Sequence, residues 1–317
     1  MLSLSIIVPV YNRPNEVEEL LGSLVEQTDK DFEVVIVEDG SRDTCEDICK
    51  RYAQRLDVKY FYKDNSGPGL SRNYGAQRSS GNYLVILDSD VIVPPQYIAT
   101  LRRELTDCYC DAFGGVDAAD SSFSDMQKAV NYAMTSFFTT GGIRGGSRRL
   151  ERFHPRSFNL GMSREVFEAV GGFSPMRYGE DIDLSIRIYK AGYKVRLLND
   201  VYVYHKRRTD LEKFFAQVRH SGNARIVLWR KHRDYPGALK VVHFLPSAFT
   251  VCSLILAFLG LFELMFWIPI LLFSLIILID SSIKNKSIKI GLLSVVTSFV
   301  QLYGYGIGFI EEYFKGK

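Results

Sequence analysis

Two carboxylates stand one residue apart in Leu87-Asp88-Ser89-Asp90, at the end of the apolar run Leu84-Val85-Ile86-Leu87. Burying a charge is costly unless it is paired or coordinates a metal. Alternate residues of an extended segment point the same way, so Asp88 and Asp90 share a face and repel each other unless a cation lies beside them. Hard oxygen ligands suit Mg²⁺ or Mn²⁺, ions commonly held by few carboxylates together with substrate phosphates. A divalent metal carrying a diphosphate fits this pair best. A second acidic group, Gly179-Glu180-Asp181-Ile182-Asp183-Leu184, opens a helical pattern with Leu184, Ile188 and Ala191 on one side. Acids in a first helical turn are favoured by the helix dipole, and the same residues could supply a general base.

These groups need elements to hold them. Up to about residue 235, short apolar runs alternate with helical patterns. Strands are expected at 6–8, 32–37, 58–62 and from Tyr83, and helices at about 16–26, 44–55 and 70–79. Such alternation predicts an α/β fold with a mostly parallel sheet covered on both faces. Ligands of such sheets bind beyond the carboxyl ends of the strands. Tyr11-Asn12-Arg13, Glu38-Asp39-Gly40-Ser41 and Asp88-Ser89-Asp90 all lie at those ends, which predicts one shared crevice.

The motifs together resemble family 2 glycosyltransferases. Val8-Pro9-Val10-Tyr11-Asn12, Val37-Glu38-Asp39-Gly40-Ser41, the turn from Asn65 through Arg72-Asn73 to Gly75, and Leu87-Asp88-Ser89-Asp90 stand in that family's order. Ser157-Phe158-Asn159, Gly171-Gly172-Phe173 and Gly179-Glu180-Asp181 follow. The resemblance covers about residues 3–230 and implies a nucleotide-diphospho-sugar (GT-A) fold, a metal at the Asp-x-Asp pair, and inversion at the anomeric carbon. It implies that Pro9, Tyr11 and Arg13 line the base and ribose, and that Asp39 accepts from the base, most often uracil. Arg72 would approach the nucleotide or its diphosphate, and Ser89 is counted with the donor-binding residues. Asp88 would be shared between ribose and metal, Asp90 would hold Mn²⁺ or Mg²⁺ directly, and His205 would be a further ligand. Asp181 would be the base and Glu180 would position the acceptor, whereas Asp183 points to another face and reads as structural. An inverting transfer needs only one such base, because metal and cationic side chains stabilise the departing diphosphate.

Gln217-Val218-Arg219-His220 looks like a degenerate Gln-Gln-x-Arg-Trp motif of membrane polysaccharide synthases, with Gln217 and Arg219 counted as donor contacts. Its helix, about 210–229, also has the aromatic and basic mix of an interfacial helix. From Lys206 to Lys240 there are ten Lys or Arg against three acids. The glycine- and arginine-rich segment 139–154 resembles a mobile loop over the acceptor.

After residue 243 the composition changes. Apolar stretches over 244–262, 264–279 and 290–310 approach the length that spans a bilayer, the second being short, and predict helices near 244–262, 264–280 and 288–310. Lys284, Lys286 and Lys289 in the last loop put that loop and the catalytic part in the cytoplasm by the positive-inside rule. The start of the chain has no secretory pattern, which places it in the cytoplasm as well. Five scattered cysteines lack zinc spacing, and a net charge of +3 without a dense basic run argues against nucleic acid.

The expected organisation is a GT-A domain over 1–235, including the interfacial helix, and a three-helix membrane region over 236–317. The expected protein is a multi-pass enzyme of the bacterial inner membrane, facing the cytoplasm. It would move sugar from a nucleotide diphosphate, with UDP favoured, to a polyprenyl-linked saccharide or other membrane glycoconjugate. Direct transfer to polyprenyl phosphate is the alternative within the enzyme class. A non-catalytic nucleotide-sugar sensor or assembly subunit is the alternative outside it.

Overall fold

Ile6-Ile7-Val8, Val34-Val35-Ile36-Val37 and Leu84-Val85-Ile86-Leu87 are apolar at every position, so strands built from them bury both faces. The computed structural model describes residues 2–118, 123–141, 153–205 and 210–315. It divides into two units, Met1–Asp120 with Phe153–His205, and Ser121–Arg152 with Lys206–Lys317.

The first unit holds one eight-stranded sheet. In chain order its strands are β1 (Leu4–Val10), β2 (Phe32–Asp39), β3 (Asp57–Lys63), β4 (Tyr83–Leu87), β5 (Val91–Ile92), β6 (Ala112–Ala118), β7 (Asn159–Ser163) and β8 (Val195–His205). They lie in the order β3-β2-β1-β4-β7-β6-β8-β5. β1 pairs in parallel with β2 and β4, β2 with β3, and β6 with β8, whereas β4/β7, β6/β7 and β5/β8 are antiparallel. The sheet is therefore mixed, and its first four strands are the parallel set that the alternating pattern predicts.

Alternate residues serve opposite faces. Ile6, Val8, Val34, Ile36 and Val85 pack against Leu20, Leu21 and Leu24 of the helix Pro14–Val25. Ile7, Val35, Val37, Leu84 and Ile86 pack on the other face with Ala76 and Leu184. Each such side chain contributes about 1.5–3 kcal/mol on burial. The helix Pro68–Arg78 approaches closely at Gly75, where a Cβ would stand 2.7 Å from Ile7 Cγ2.

The second unit contains the helix Asp125–Thr135, the short helical turn Phe137–Thr140 and the helix Leu211–Lys231. Three further helices, Val241–Leu259, Leu264–Asn285 and Ile288–Lys315, are long and apolar enough to cross a membrane. The second apolar stretch, short in sequence, is thus part of a 22-residue helix. The compact units divide elsewhere than the expected boundary near residue 235. Val130, Ala133 and Met134 cluster with Phe214 and Val218, against Val300 of the last helix. Small residues allow that packing: a Cβ on Gly304 would lie 2.4 Å from Val218 Cγ2, and one on Gly308 would lie 2.0 Å from the Arg219 carbonyl.

Candidate active site

The chain runs outward from β1 through β2 to β3, then returns to place β4 on the other side of β1. The strand order therefore reverses between β1 and β4, and the carboxyl ends of those strands border the crevice that open α/β sheets use for ligands. Tyr11-Asn12-Arg13 leaves β1 at this point and Asp88-Ser89-Asp90 leaves β4.

Each loop is shaped by specific bonds. Asn12 adopts a left-handed backbone with φ 53°, a conformation Asn tolerates better than most residues. There its N–H donates to Ser41 Oγ at 2.7 Å and its side-chain oxygen accepts from the Arg42 N–H at 2.8 Å. Gly40, with φ 74°, leaves no room for a side chain, because a Cβ would meet the Asn65 nitrogen at 2.7 Å. Asp39, at the end of β2, accepts the N–H groups of Ser66 and Gly67, each at 2.9 Å, and pairs with Lys63. Burial alone would raise the Asp39 pKa, but the Lys63 and Ser66 bonds outweigh it and hold the carboxyl below its usual range. Pro9 lies in β1 opposite Val37, and Tyr11 is exposed.

Three arginines meet five carboxylates. Arg13 donates to Asp90 at 3.0 Å and to Glu16 at 2.8 Å, an ion pair spanning the point where the strand order reverses. Arg72 is buried and donates through Nη1 to Glu180 at 2.7 Å and through Nη2 to Asp88 at 2.8 Å. Its Nε has no hydrogen-bond partner among the described residues, and its guanidinium carbon lies 5.2 Å from the centre of the Phe173 ring. Burial opposes the Arg72 charge, yet Asp88 and Glu180 offset this and raise its pKa. Burial, and then the charge of Asp181, push the Glu180 carboxyl upward against the pull of Arg72. Asp181 is also buried. Its Oδ2 faces Arg156 Nε at 3.0 Å and its Oδ1 accepts the Ile182 N–H.

Asp39, Arg13, Arg72, Asp88, Asp90, Glu180 and Asp181 all belong to the sheet unit. Ser89 is buried, and its hydroxyl donates over a long 3.4 Å to Glu16. Asp183 pairs with Arg187 at 2.9 Å on its own helix. Gln217 and Arg219 belong to the second unit, where Gln217 is exposed and Arg219 makes a two-pronged pair with Glu311 at 2.7 and 2.9 Å. His205 ends β8 opposite Val91; its side chain, like residues 142–152 of the expected loop over 139–154, lies outside the described residues. Arg156 had no signal in the sequence, being a single cation in an irregular segment.

Among the described residues no group of three or more His, Cys, Asp or Glu gathers as a ready metal cage. The donor set is Asp88 and Asp90, hard oxygen ligands with side chains 29% and 14% exposed. It fits a divalent ion that takes its remaining ligands from water and a diphosphate.

A family model described as "Glycosyl transferase family 2" matches residues 5–171, more than half the chain. The glycosyltransferase GlyA of Streptococcus pneumoniae serotype 4 is 29% identical over 231 residues, 68% of this chain and 32% of that protein. This chain therefore spans about a third of GlyA. The succinoglycan biosynthesis protein ExoA of Rhizobium meliloti is 26% identical over 73% of this chain and 72% of its own length. Among solved structures, the mannosyltransferase PcManGT of Pyrobaculum calidifontis, in complex with GDP-Man and Mn²⁺, has a TM-score of 0.67 at 19% identity, covering 94% of this chain and 87% of its own. S. aureus TarS 1–349 in complex with UDP-GlcNAc has a TM-score of 0.52 at 19% identity, covering 99% and 92%. At these identities the structures speak for a shared GT-A fold.

Proposed function

The chain belongs to glycosyl transferase family 2 and is a glycosyltransferase, and from that premise we propose that it transfers a sugar with inversion from a nucleotide diphosphate to a membrane glycoconjugate. The observation that carries this reading is the set of four acids held by three arginines, with two of the acids at the carboxyl end of β4. Asp181 is the general base, and Arg156 fixes its orientation beside the acceptor hydroxyl. Glu180, held by Arg72, positions the acceptor. Arg72 links the acceptor carboxylate to the donor carboxylate Asp88, and its spare Nε–H suits an anionic oxygen of the donor.

Mn²⁺ or Mg²⁺ would be held by Asp88 and Asp90, with His205 a further ligand, and would supply charge stabilisation for the departing diphosphate. Arg13 and Arg72 serve as counter-ions to the same carboxylates. Pro9, Tyr11 and Asp39 line the nucleotide, with uridine the first candidate base, and Gln217 and Arg219 are counted as donor contacts on the likeness of their segment to a diphosphate-cradling motif. The three apolar helices support reading the enzyme as a multi-pass protein of the bacterial inner membrane, and the lysines of the last loop support a cytoplasmic sheet unit. A polyprenyl-linked saccharide is the acceptor favoured by that setting.

The test is a panel of nucleotide sugars with Mn²⁺ and membrane lipid extract, read as released nucleotide. One donor should be consumed only when lipid is added, and Asp90→Ala and Asp181→Ala should each abolish turnover. Wild-type turnover in both variants would refute the assignment. Activity that survives Asp181→Asn would instead favour direct transfer to polyprenyl phosphate, whose acceptor oxygen is already anionic.

A further inference from the structure

The helical turn Phe137–Thr140 has its polarity reversed relative to a water-facing surface. Thr139 and the preceding Ser136 are buried, at 3% and 4% exposure, while Phe137 is 67% and Phe138 41% exposed. The buried hydroxyls are satisfied locally. Thr139 donates to the carbonyl of Ala133 at 2.6 Å, and Ser136 Oγ accepts the Phe138 N–H. The two rings meet edge to face at 6.0 Å. A turn that buries Ser136 and Thr139 and projects two phenylalanines outward suits an apolar surrounding.

Its neighbours extend that surface. Gly141, which closes the turn, lies against the start of the first apolar helix: a Cβ there would stand 2.4 Å from Val242 Cγ2 and 3.7 Å from Leu245 Cδ1. Val241, Phe244 and Leu245 are themselves exposed, Val241 at 82%. The outward face of that helix continues the patch through Val251, Leu254 and Ile255. The helix Asp125–Thr135, from which the turn projects, is fixed to the other apolar helices at three points. Tyr132 Oη donates to Asp280 at 2.6 Å, Lys289 pairs with Asp125 at 2.8 Å, and Thr297 Oγ1 donates to the Ala129 carbonyl at 3.0 Å. The turn is therefore held beside the beginning of a helix long enough to span a bilayer.

We propose that Phe137 and Phe138 insert into the bilayer at the boundary between headgroups and acyl chains, beside the entry of the first apolar helix. The inference rests on the membrane reading of the three apolar helices and adds a fourth contact, made by a segment far from them in the chain. Aromatic side chains gather at that depth, and interfacial elements bury their apolar face about 5–10 Å into the boundary.

Tryptophan fluorescence of the full-length protein in phosphatidylcholine vesicles tests the proposal. The chain has two tryptophans, so Trp229→Phe leaves Trp267, at the start of the second apolar helix, as an internal control. Adding Trp267→Phe and then F137W or F138W gives single probes on the turn. Lipids brominated near the glycerol end of the acyl chain should quench either probe, aqueous iodide should not, and emission should shift to the blue on reconstitution. Quenching by iodide but not bromolipid would overturn the proposal by placing the turn in water. Protection from both would overturn it by placing the turn against protein. If bromolipid also fails to quench Trp267, the membrane reading itself falls and takes the proposal with it. Either turn position suffices should the other variant not fold.

Discussion

Replacing Arg72 with methionine keeps most of the side-chain volume and removes one buried charge. Two carboxylates lose their partner, and they differ in surroundings. Asp88 is 29% exposed and can turn to water, whereas Glu180 is 9% exposed and stands beside Asp181. Breaking a buried ion pair by removing one partner typically costs about 3–5 kcal/mol, because the other charge is left uncompensated. Most of that cost falls on Glu180, since a partly exposed pair such as Arg72–Asp88 contributes about 0–1 kcal/mol. For a unit of this size the loss corresponds to a drop in Tm of about 6–20 °C. The comparison that isolates the cause is Arg72→Met combined with Glu180→Gln. Replacing both ends of a buried pair by neutral groups is often close to neutral, so the double variant should recover most of the stability and remain inactive. Scanning calorimetry of the detergent-solubilised protein and nucleotide release from the donor read the two outcomes separately. A Tm for Arg72→Met within about 2 °C of wild type, under 1 kcal/mol, would refute the reasoning. So would a double variant no more stable than Arg72→Met.

Three further outcomes follow from contacts elsewhere. Arg156→Lys keeps a cation beside the buried Asp181, so stability should change by no more than about 1 kcal/mol, while loss of the planar guanidinium should misorient Asp181 and lower turnover by up to about 100-fold; equal losses of Tm and activity would count against an orienting role. Burial alone would raise the Glu33 pKa, but Lys59, Ser5 and Ser80 outweigh it and hold the carboxyl at about 2, below the ordinary 4.5. A depressed carboxyl stabilises the fold above the unfolded value, so this contribution is present above pH 4.5 and is lost as the pH falls toward about 2. It amounts to at most about 3 kcal/mol, less to the extent that Lys59, 37% exposed, is screened. Glu33→Gln should flatten acid unfolding over that range, and an unchanged acid limb would contradict it. Gly308→Val should push the last helix off the Arg219 carbonyl, costing about 1–3 kcal/mol, and should weaken the Arg219–Glu311 pair, visible as a lower Tm in detergent.

Much of the sheet unit is legible because its signals are local. The apolar runs of β1, β2 and β4 need no knowledge of their neighbours, and the residues that end them are polar because the strands stop at the crevice. Asp88 and Asp90 show the limit of such reading. Their shared face follows from strand geometry, but their partners do not. Arg13 reaches Asp90 across 77 positions of sequence, and Arg72 reaches Glu180 across 108. Arg156 is the same case without a motif to draw attention to it. Its pairing with Asp181 depends on how one irregular segment returns to the sheet, and no periodicity encodes that return.

The second unit was harder to read for a different reason. Helix 211–231 carries an interfacial composition, and its basic and aromatic residues give no sign that a third apolar stretch will lie along it. The recognition elements are what the last helix lacks. Gly304 and Gly308 lie one helical turn apart and admit Val218 and the Arg219 backbone, while Gly306 turns toward Pro246 and Thr250 of the first apolar helix. A single Gly-x-Gly-x-Gly run thus receives two different helices on two of its faces. Hydropathy treats those glycines as neutral spacers in a span. Their meaning is steric and appears only when the opposing backbone is in place, and the pairing of Arg219 with Glu311 is equally invisible in the sequence. The pair and the glycines have the same effect: they fix helix 211–231 to the apolar helices, the pair through side chains and the glycines through close backbone approach.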